Sequence, residues 1–481
     1  MNIVTFIQNS LKKAILSQRE TESIEIEKIG ENLTPNMRAL RLSMGLADQL
    51  LSMGAAASDV VHMSLGVTNT YCTRKVHIDI SHNLITISQD RGVDREPLTL
   101  IRSVVARSTN YQTIQKLQQL ANAIRDKRIT LTGAEKEFDH ILANQKIYPE
   151  WVRCLTGGGV SAGVSILYGG SLTIIFISFF IGIIITWGLR QMRKLGIPSF
   201  YIQVAAALFA TLVAGGLSWI INGGHLDIIS HINPTLIIIS GIVLLVAGMM
   251  IVGALQDAID EYYVTAGARI LKVIMLTGGI VMGVAMGLYI TKRFDINFVA
   301  TPDGLSFNTT ALQYTGAAII ASMFALGNHS RLGGVILAGA IGILGYYCAQ
   351  VGLSLGLGPI PAYGIAAAVI GFSATMISRI WRVPSLASIS AGIIPLVPGL
   401  TLYNGLMQVI QNPPGNPYFD KGLAILLQAF LIALTIAAGA SFGNIAGRPM
   451  RRKLINIHNK LPGHRLRSPS KKRIKPQELN P

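Results

Sequence analysis

Apolar and polar positions divide the chain in two at Trp151. Beyond it, apolar stretches follow one another with short interruptions, near 155–171, 172–189, 199–221, 233–255, 267–290, 311–328, 332–355, 361–381, 385–410 and 419–444. Several approach the roughly 20 residues that a helix needs to cross a bilayer. Before Trp151 the periodicity is that of a soluble domain. Leu40, Met44, Ala47 and Leu51 form one helical stripe, with Leu50 beside it and Ser43 off it, ending near Gly54. Ser58 is placed to cap a second helix through His62 and Leu65. RKVHIDIS and NLITISQD alternate apolar and polar residues on either side of Ser81, His82 and Asn83, which predicts a hairpin, and LTLIRSVVA supplies another strand. Helices are expected over 111–126 and 133–144, the latter capped by Thr132 and started by Gly133. The glutamate-rich lead, residues 1–35, is given no role. The pattern predicts an α-helical polytopic membrane protein of about ten transmembrane helices, preceded by a small α+β cytoplasmic domain over 36–150.

One span is interrupted. Residues 385–410, SLASISAGIIPLVPGLTLYNGLMQVI, are uncharged but carry Pro395, Pro398 and Gly399 near the middle. A proline has no backbone N–H and clashes with the carbonyl four residues back, so the carbonyls of Ala391 and Ile394 are expected to lose their helical partners. Unpaired backbone at membrane depth is tolerated only inside protein or beside a wet cavity, which makes the break a candidate substrate site. A second stretch matches it without a gap: LVAGMMIVGALQDAI at 245–259 aligns with LVPGLTLYNGLMQVI at 396–410. In the helices that follow, Gly283 and Gly287 correspond to Gly439 and Gly443. Two halves, 151–290 and 311–446, are therefore expected, with five spans each. An odd number reverses the direction of the second copy, giving a 5+5 inverted repeat, the arrangement that lets one site face either side in turn.

Composition supports this class. Half of the 481 residues are apolar, and mean hydropathy is +0.47. The 49 glycines suit close helix contacts in lipid. The net charge of +17 sits mainly in loops and tail. Arg190, Arg193, Lys194, Arg331, Arg379 and Arg382 fall on one side, against Lys292, Arg293 and Lys421 on the other, which places both termini in the cytoplasm and the chain in the plasma (cell inner) membrane. The basic tail, 447–481, has eleven Lys or Arg and one acid, Glu478, and is expected to attract lipid headgroups rather than nucleic acid. Cys72, Cys154 and Cys348 have no paired spacing, so neither disulfides, a metal site nor a cofactor is expected. The amino terminus lacks the apolar core and cleavage site of a secretory signal.

Residues 371–410, the IPLVPG run with its following asparagine, and GALQDAI…GAR at 253–269, together with a soluble domain before ten spans, resemble the threonine/serine exporter family over roughly 36–445. The resemblance implies export of small hydroxy amino acids driven by the proton motive force. The family signatures fall on Pro395, Pro398, Gly399 and Asn404 in the second half, and on Gly248, Asp257, Gly267 and Arg269 in the first. One departure is Ala247-Gly248 in place of a Pro-Gly pair, which leaves the fourth helix free to run on unbroken. Some relatives are associated with dicarboxylates, so a succinate-type substrate is the alternative within this architecture.

Each candidate has a chemical role. Pro398 and Gly399 would open the helix and present its dipoles to a zwitterion. Tyr403 and Asn404 could donate to a carboxylate or hydroxyl. Asp257, with a carboxylate near the inner end of the fourth span, is the candidate for proton coupling. Arg269 could bind the substrate carboxylate or pair with Asp257. GVSAG at 159–163 fits the G-x-S-x-G elbow, and a membrane-anchored hydrolase built on Ser161 is the rival class, but the motif opens an apolar helix and glycine packing is preferred. His62, His77, His82 and His140 show no metal spacing. The expected partners are threonine, serine, protons and the lipid bilayer, with homo-oligomerisation left open and the soluble domain acting as a gate or regulator.

Overall fold

The computed structural model describes residues 34–92, 95–222, 235–245, 248–294, 309–377, 383 and 385–458. The lead and the distal tail lie outside the described residues, as does Ala247, where the continuity of the fourth helix was in question.

The amino-terminal unit begins with α1 (Pro35–Ser52), whose Thr34 cap accepts from the Met37 N–H. The predicted stripe is buried, but so is Ser43, because α2 (Ala57–Tyr71) crosses there and the Ser43 hydroxyl donates to the Ser64 carbonyl at 3.1 Å. Strands β1 (Val76–Ser81), β2 (Leu84–Gln89) and β3 (Leu98–Ser103) form one antiparallel sheet in sequence order. His82 turns the hairpin in a left-handed conformation, φ 58°. Helices α3 (Tyr111–Arg125) and α4 (Leu131–Ala143) complete the unit around Leu46, Leu50, Ile87, Ile114 and Leu117. Two caps differ from expectation. Thr130, not Thr132, caps α4 by accepting from the Gly133 N–H, while the Thr132 hydroxyl receives Arg38. Ser58 caps nothing; α2 begins before it, and its hydroxyl reaches across to Asp260.

The membrane part comprises α5 (Glu150–Leu167), α6 (Leu172–Lys194), α7 (Ser199–Asn222), α8 (Thr235–Leu245), α9 (Gly248–Ile259) and α10 (Tyr263–Arg293). It continues through α11 (Thr310–Gly327), α12 (Leu332–Ser354), α13 (Pro359–Ile377), α14 (Ser385–Ile393), α15 (Gly399–Gln411) and α16 (Pro417–His458). Among the described residues seven of these helices are long and apolar enough to cross a membrane, and eight if the bent pair α14–α15 counts as one. Every predicted span has a helical counterpart, yet α5, with Glu150 and Arg153 in its first turn, and the short α8 and α9 do not meet that measure individually. Outward faces carry large apolar side chains such as Phe176, Trp187, Ile365 and Phe442, as lipid contact requires.

Neighbour relations in the first set of helices recur in the second. α5 packs on α6 as α11 packs on α12, α7 on α10 as α13 on α16, and α9 on α10 as α15 on α16. The glycine stripes are packing seams. A Cβ on Gly283 would stand 2.3 Å from the Val204 carbonyl, and one on Gly439 2.1 Å from that of Gly364. No real side chain fits at such distances. Gly439→Val is expected to cost about 3 kcal/mol, the upper part of the overpacking range. A clear drop in thermal midpoint in detergent is the expected result, with Gly278→Val, which has open space around it, as the unchanged control.

The amino-terminal unit sits on one end of the bundle through main-chain bonds. The Tyr111 N–H donates to the Asn328 carbonyl at 3.0 Å, and the Tyr148 N–H to His329 Nδ1 at 3.1 Å. Burial, and then the positive charges of Arg153 and Arg190, push the His329 imidazole from 6.5 down to about 4. The unfolded chain therefore takes up a proton below about pH 6.5 that the folded chain refuses until about pH 4. Stability from this residue is complete above that window and is lost as pH falls through it. Thermal midpoints measured from pH 7 to 4 are expected to fall less steeply in His329→Gln than in wild type.

Candidate functional site

The break in the ninth predicted span is a sharp turn. Helix α14 tightens into one 3-10 turn at Ile394–Leu396, and α15 leaves it at 47°. The Ile394 carbonyl, expected to be orphaned, is instead satisfied by the Val397 N–H at 3.2 Å, because 3-10 winding brings a donor three residues on. The Gly399 N–H then folds back onto the Val397 carbonyl at 2.7 Å. Pro398 stands at the N-cap of α15 and supplies no side-chain cap, so the positive end of a 13-residue helix is presented inside the bundle. Gly399 lets α8 approach: a Cβ there would meet Val243 Cγ2 at 3.1 Å.

Buried polar atoms without partners lie along both arms of this bent helix. Ser388 Oγ on α14, with Tyr403 OH, Asn404 Oδ1 and Gln408 Oε1 on α15, are all buried and unbonded. Tyr403 is 1% exposed. Four such groups on one broken helix are costly unless something polar completes them. Asn404 and Gln408, four apart, share a face of α15.

The corresponding stretch of the first half is described as α8 up to Leu245 and α9 from Gly248. Gln203 of α7 donates its Nε2–H to the Leu245 carbonyl at 3.1 Å and leaves its own Oε1 buried and unbonded. Through the α8–α15 contact the two corresponding stretches meet.

A cavity of about 910 Å3 lies between the amino-terminal unit and the bundle. Its upper wall carries Asp59, His62, Arg107 and Arg125; its floor includes Gln256 of α9, Asn444 of α16, and Ser390 and Ile393 of α14. It thus ends one residue short of the 3-10 turn. Of the residues singled out from sequence, Arg269, His62 and His82 line it; Pro395, Pro398, Gly399, Tyr403 and Asn404 are not among its lining residues.

Asp257 and Arg269 are joined to each other. Asp257 is fully buried, with Oδ2 2.6 Å from Arg269 Nη1 and Oδ1 accepting the Ala57 N–H at 3.0 Å. Arg269 Nη2 donates to the Ala55 carbonyl at 3.3 Å. Both side chains therefore bind the start of α2 as well as one another. Nearby, the Thr265 hydroxyl donates to the Ile80 carbonyl and accepts the His82 N–H. Gly267, from the same signature, has open space around it.

Ser161 lies in mid-helix on α5, its hydroxyl donating to the Ser240 carbonyl at 3.0 Å, so neither the strand–turn–helix of an elbow nor a base is present. Gly159 and Gly163 pack against Met323 and Ile320 of α11, as the packing interpretation requires. Among the described residues no His, Cys, Asp and Glu cluster could hold a metal ion. Sequence reasoning overlooked Gln203, Ser388 and Gln408. The available signal was polarity inside an apolar span, which marks interior-facing positions.

A threonine/serine exporter family model matches residues 41–291, and a second threonine/serine exporter model matches 313–446. A Mycobacterium tuberculosis protein named "Probable threonine/serine exporter" is 30% identical over 424 residues, covering 86% of this chain and 77% of its own length. A Corynebacterium glutamicum protein named "Threonine/serine exporter" is 30% identical over 419 residues, covering 86% and 83%. No solved structure matches the chain.

Proposed function

The chain belongs to the threonine/serine exporter family, a family of membrane transporters and not of enzymes, and from that premise we propose that it exports threonine or serine by alternating access at the α14–α15 break. The observation that carries this is the uncapped start of α15 with the buried, unbonded polar atoms of Tyr403 and Asn404 about a turn along the same helix. The helix N-terminus suits the amino acid carboxylate, and Asn404, Gln408 and Tyr403 suit its ammonium and hydroxyl groups. Helix α8, with Leu236, Ile239 and Ile242 buried, packs on α15 with Val243 facing Gly399.

Ten spans in two inverted sets of five explain the matched neighbour relations. Helix α9 ends at the amino-terminal unit, where Asp257 accepts from Ala57, whereas α14 begins there, with Ser385 on the cavity wall. α10 likewise begins at that end, bonded to Ile80 through Thr265, while α16 brings Asn444 to it late in its course. Opposite directions in corresponding helices support the inverted arrangement. That end is cytoplasmic in this reading, with the amino-terminal unit over the entrance and the cavity as vestibule. Export is driven by the proton motive force through Asp257: a proton on its carboxylate removes the charge that holds Arg269 and the start of α2, loosening the unit over the vestibule.

The test is flux of labelled threonine, serine and succinate in proteoliposomes, with and without an imposed proton gradient. Gradient-driven threonine or serine flux is expected. A dicarboxylate is the second reading, favoured by Arg107, Arg125, Arg269 and Lys272 against Asp59 in the vestibule. Succinate flux alone would replace the substrate, and flux indifferent to the gradient would remove the proton coupling.

A further inference from the structure

Where α5, the end of α6 and the turn between α11 and α12 meet, positive charge outweighs negative. Glu150 is the carboxylate that pairs there, with Lys194 at 2.7 Å and Arg190 at 3.6 Å. Arg153 and Arg193 have no ion pair among the described residues, and Arg190 and Arg193 act on Arg153 through space as like charges, with Glu150 opposing them. Four cations around one carboxylate repel one another unless an anion joins them.

Two donors in the cluster are buried and unanswered. One is Arg190 Nη1. The other belongs to His329, which is 1% exposed. Its Nδ1 accepts the Tyr148 N–H, so in the neutral ring the hydrogen is on Nε2, and that atom has no partner. Arg153 and Arg190 both act on His329, placing it in the same electrostatic neighbourhood. Both orphans are donors, and both call for an oxygen acceptor.

The cluster sits where α6 leaves its apolar stretch. Trp151 and Trp187, 65% and 55% exposed, stand on the outer surface within a turn of Arg153 and Arg190, as aromatic side chains do at a membrane interface. Ile184, one turn further into the apolar stretch, is exposed on the same helix.

We propose that Arg153, Arg190, Arg193 and His329 bind the phosphate of an anionic phospholipid. Its oxygens accept from the two unanswered donors, and its negative charge relieves the repulsion, a task suited to guanidinium groups. Ile184 and Trp187 offer the acyl chains an apolar track. Free phosphate offers the same oxygens but no chains. Because His329 also holds the Tyr148 N–H, bound lipid ties the bundle to the amino-terminal unit.

The test uses the full-length protein, delipidated in detergent, with phosphatidylglycerol, phosphatidylcholine or inorganic phosphate added, read by native mass spectrometry and thermal midpoint. Wild type is expected to retain phosphatidylglycerol and gain stability from it. Arg190→Gln and Arg193→Gln are expected to weaken that binding about tenfold, with a lipid-free midpoint equal to or above that of wild type because repulsion is removed. A merely structural cluster would lower it. Arg193→Gln breaks no ion pair and carries the test if Arg190→Gln does not fold, and Lys292→Gln, outside the cluster, is the control. Equal stabilisation by inorganic phosphate would overturn the lipid as ligand. Equal phosphatidylglycerol binding by wild type and both variants would overturn the site.

Discussion

Gly399→Leu is expected to abolish threonine efflux while the protein still inserts and folds. The argument is one of space and direction. A Cβ at residue 399 already presses Val243 at 3.1 Å, and an isobutyl group must push α8 from α15 or turn α15 about its start. Either movement shifts the first N–H groups of α15 together with Tyr403 and Asn404, which lie about a turn further along that helix. Pro398→Ala acts from the other side. It restores a backbone donor at the turn and lets α14 and α15 approach one continuous helix, erasing the 47° bend and its free N-terminus. Flux in both variants is expected to fall at least about a hundredfold, the size of effect that small misplacements of binding groups produce. Wild-type rates with normal membrane yield would remove the break from the transport path.

Arg269→Met is expected to destabilise the join between unit and bundle by about 3–5 kcal/mol, since it strands the fully buried Asp257 without a counter-charge. The remaining Ala57 N–H cannot neutralise it. Asp257→Asn combined with Arg269→Met should recover most of that loss, because no bare charge is left, and this recovery separates a charge effect from loss of packing. Limited proteolysis of the segment preceding α5, followed over time, reads the join directly. Rapid cleavage in the single variant and slow cleavage in the double variant are expected; equal rates in all three would mean that the pair does not hold the unit.

Much of this arrangement was legible in the sequence because apolar length, proline chemistry and glycine spacing are local signals. Pro395, Pro398 and Gly399 announced the break, and Gly283 and Gly439 announced the seams. Partners distant in sequence were not legible. Asp257 shows that limit: its carboxylate is held by Ala57, 200 positions away, which no periodicity indicates. Ser58 misled for the same reason, since a serine near a helix start suits a cap, and only tertiary contact turned its hydroxyl to Asp260. Gln203 was hidden because the Leu245 carbonyl it binds lies 42 positions away, which no periodicity indicates. The fate of the Ile394 carbonyl depended on whether the chain tightened to 3-10 winding or opened, a choice set by packing against α11 and α12.

The most direct measurement places a single cysteine at Asn404, with Cys72, Cys154 and Cys348 replaced, and follows its modification by membrane-impermeant thiol reagents applied to either face of proteoliposomes. Modification from both faces, slowed by threonine over the same concentrations that saturate flux, is the expected result. Modification from neither face, or at a rate that saturating threonine leaves unchanged, would contradict a substrate site at the α14–α15 break.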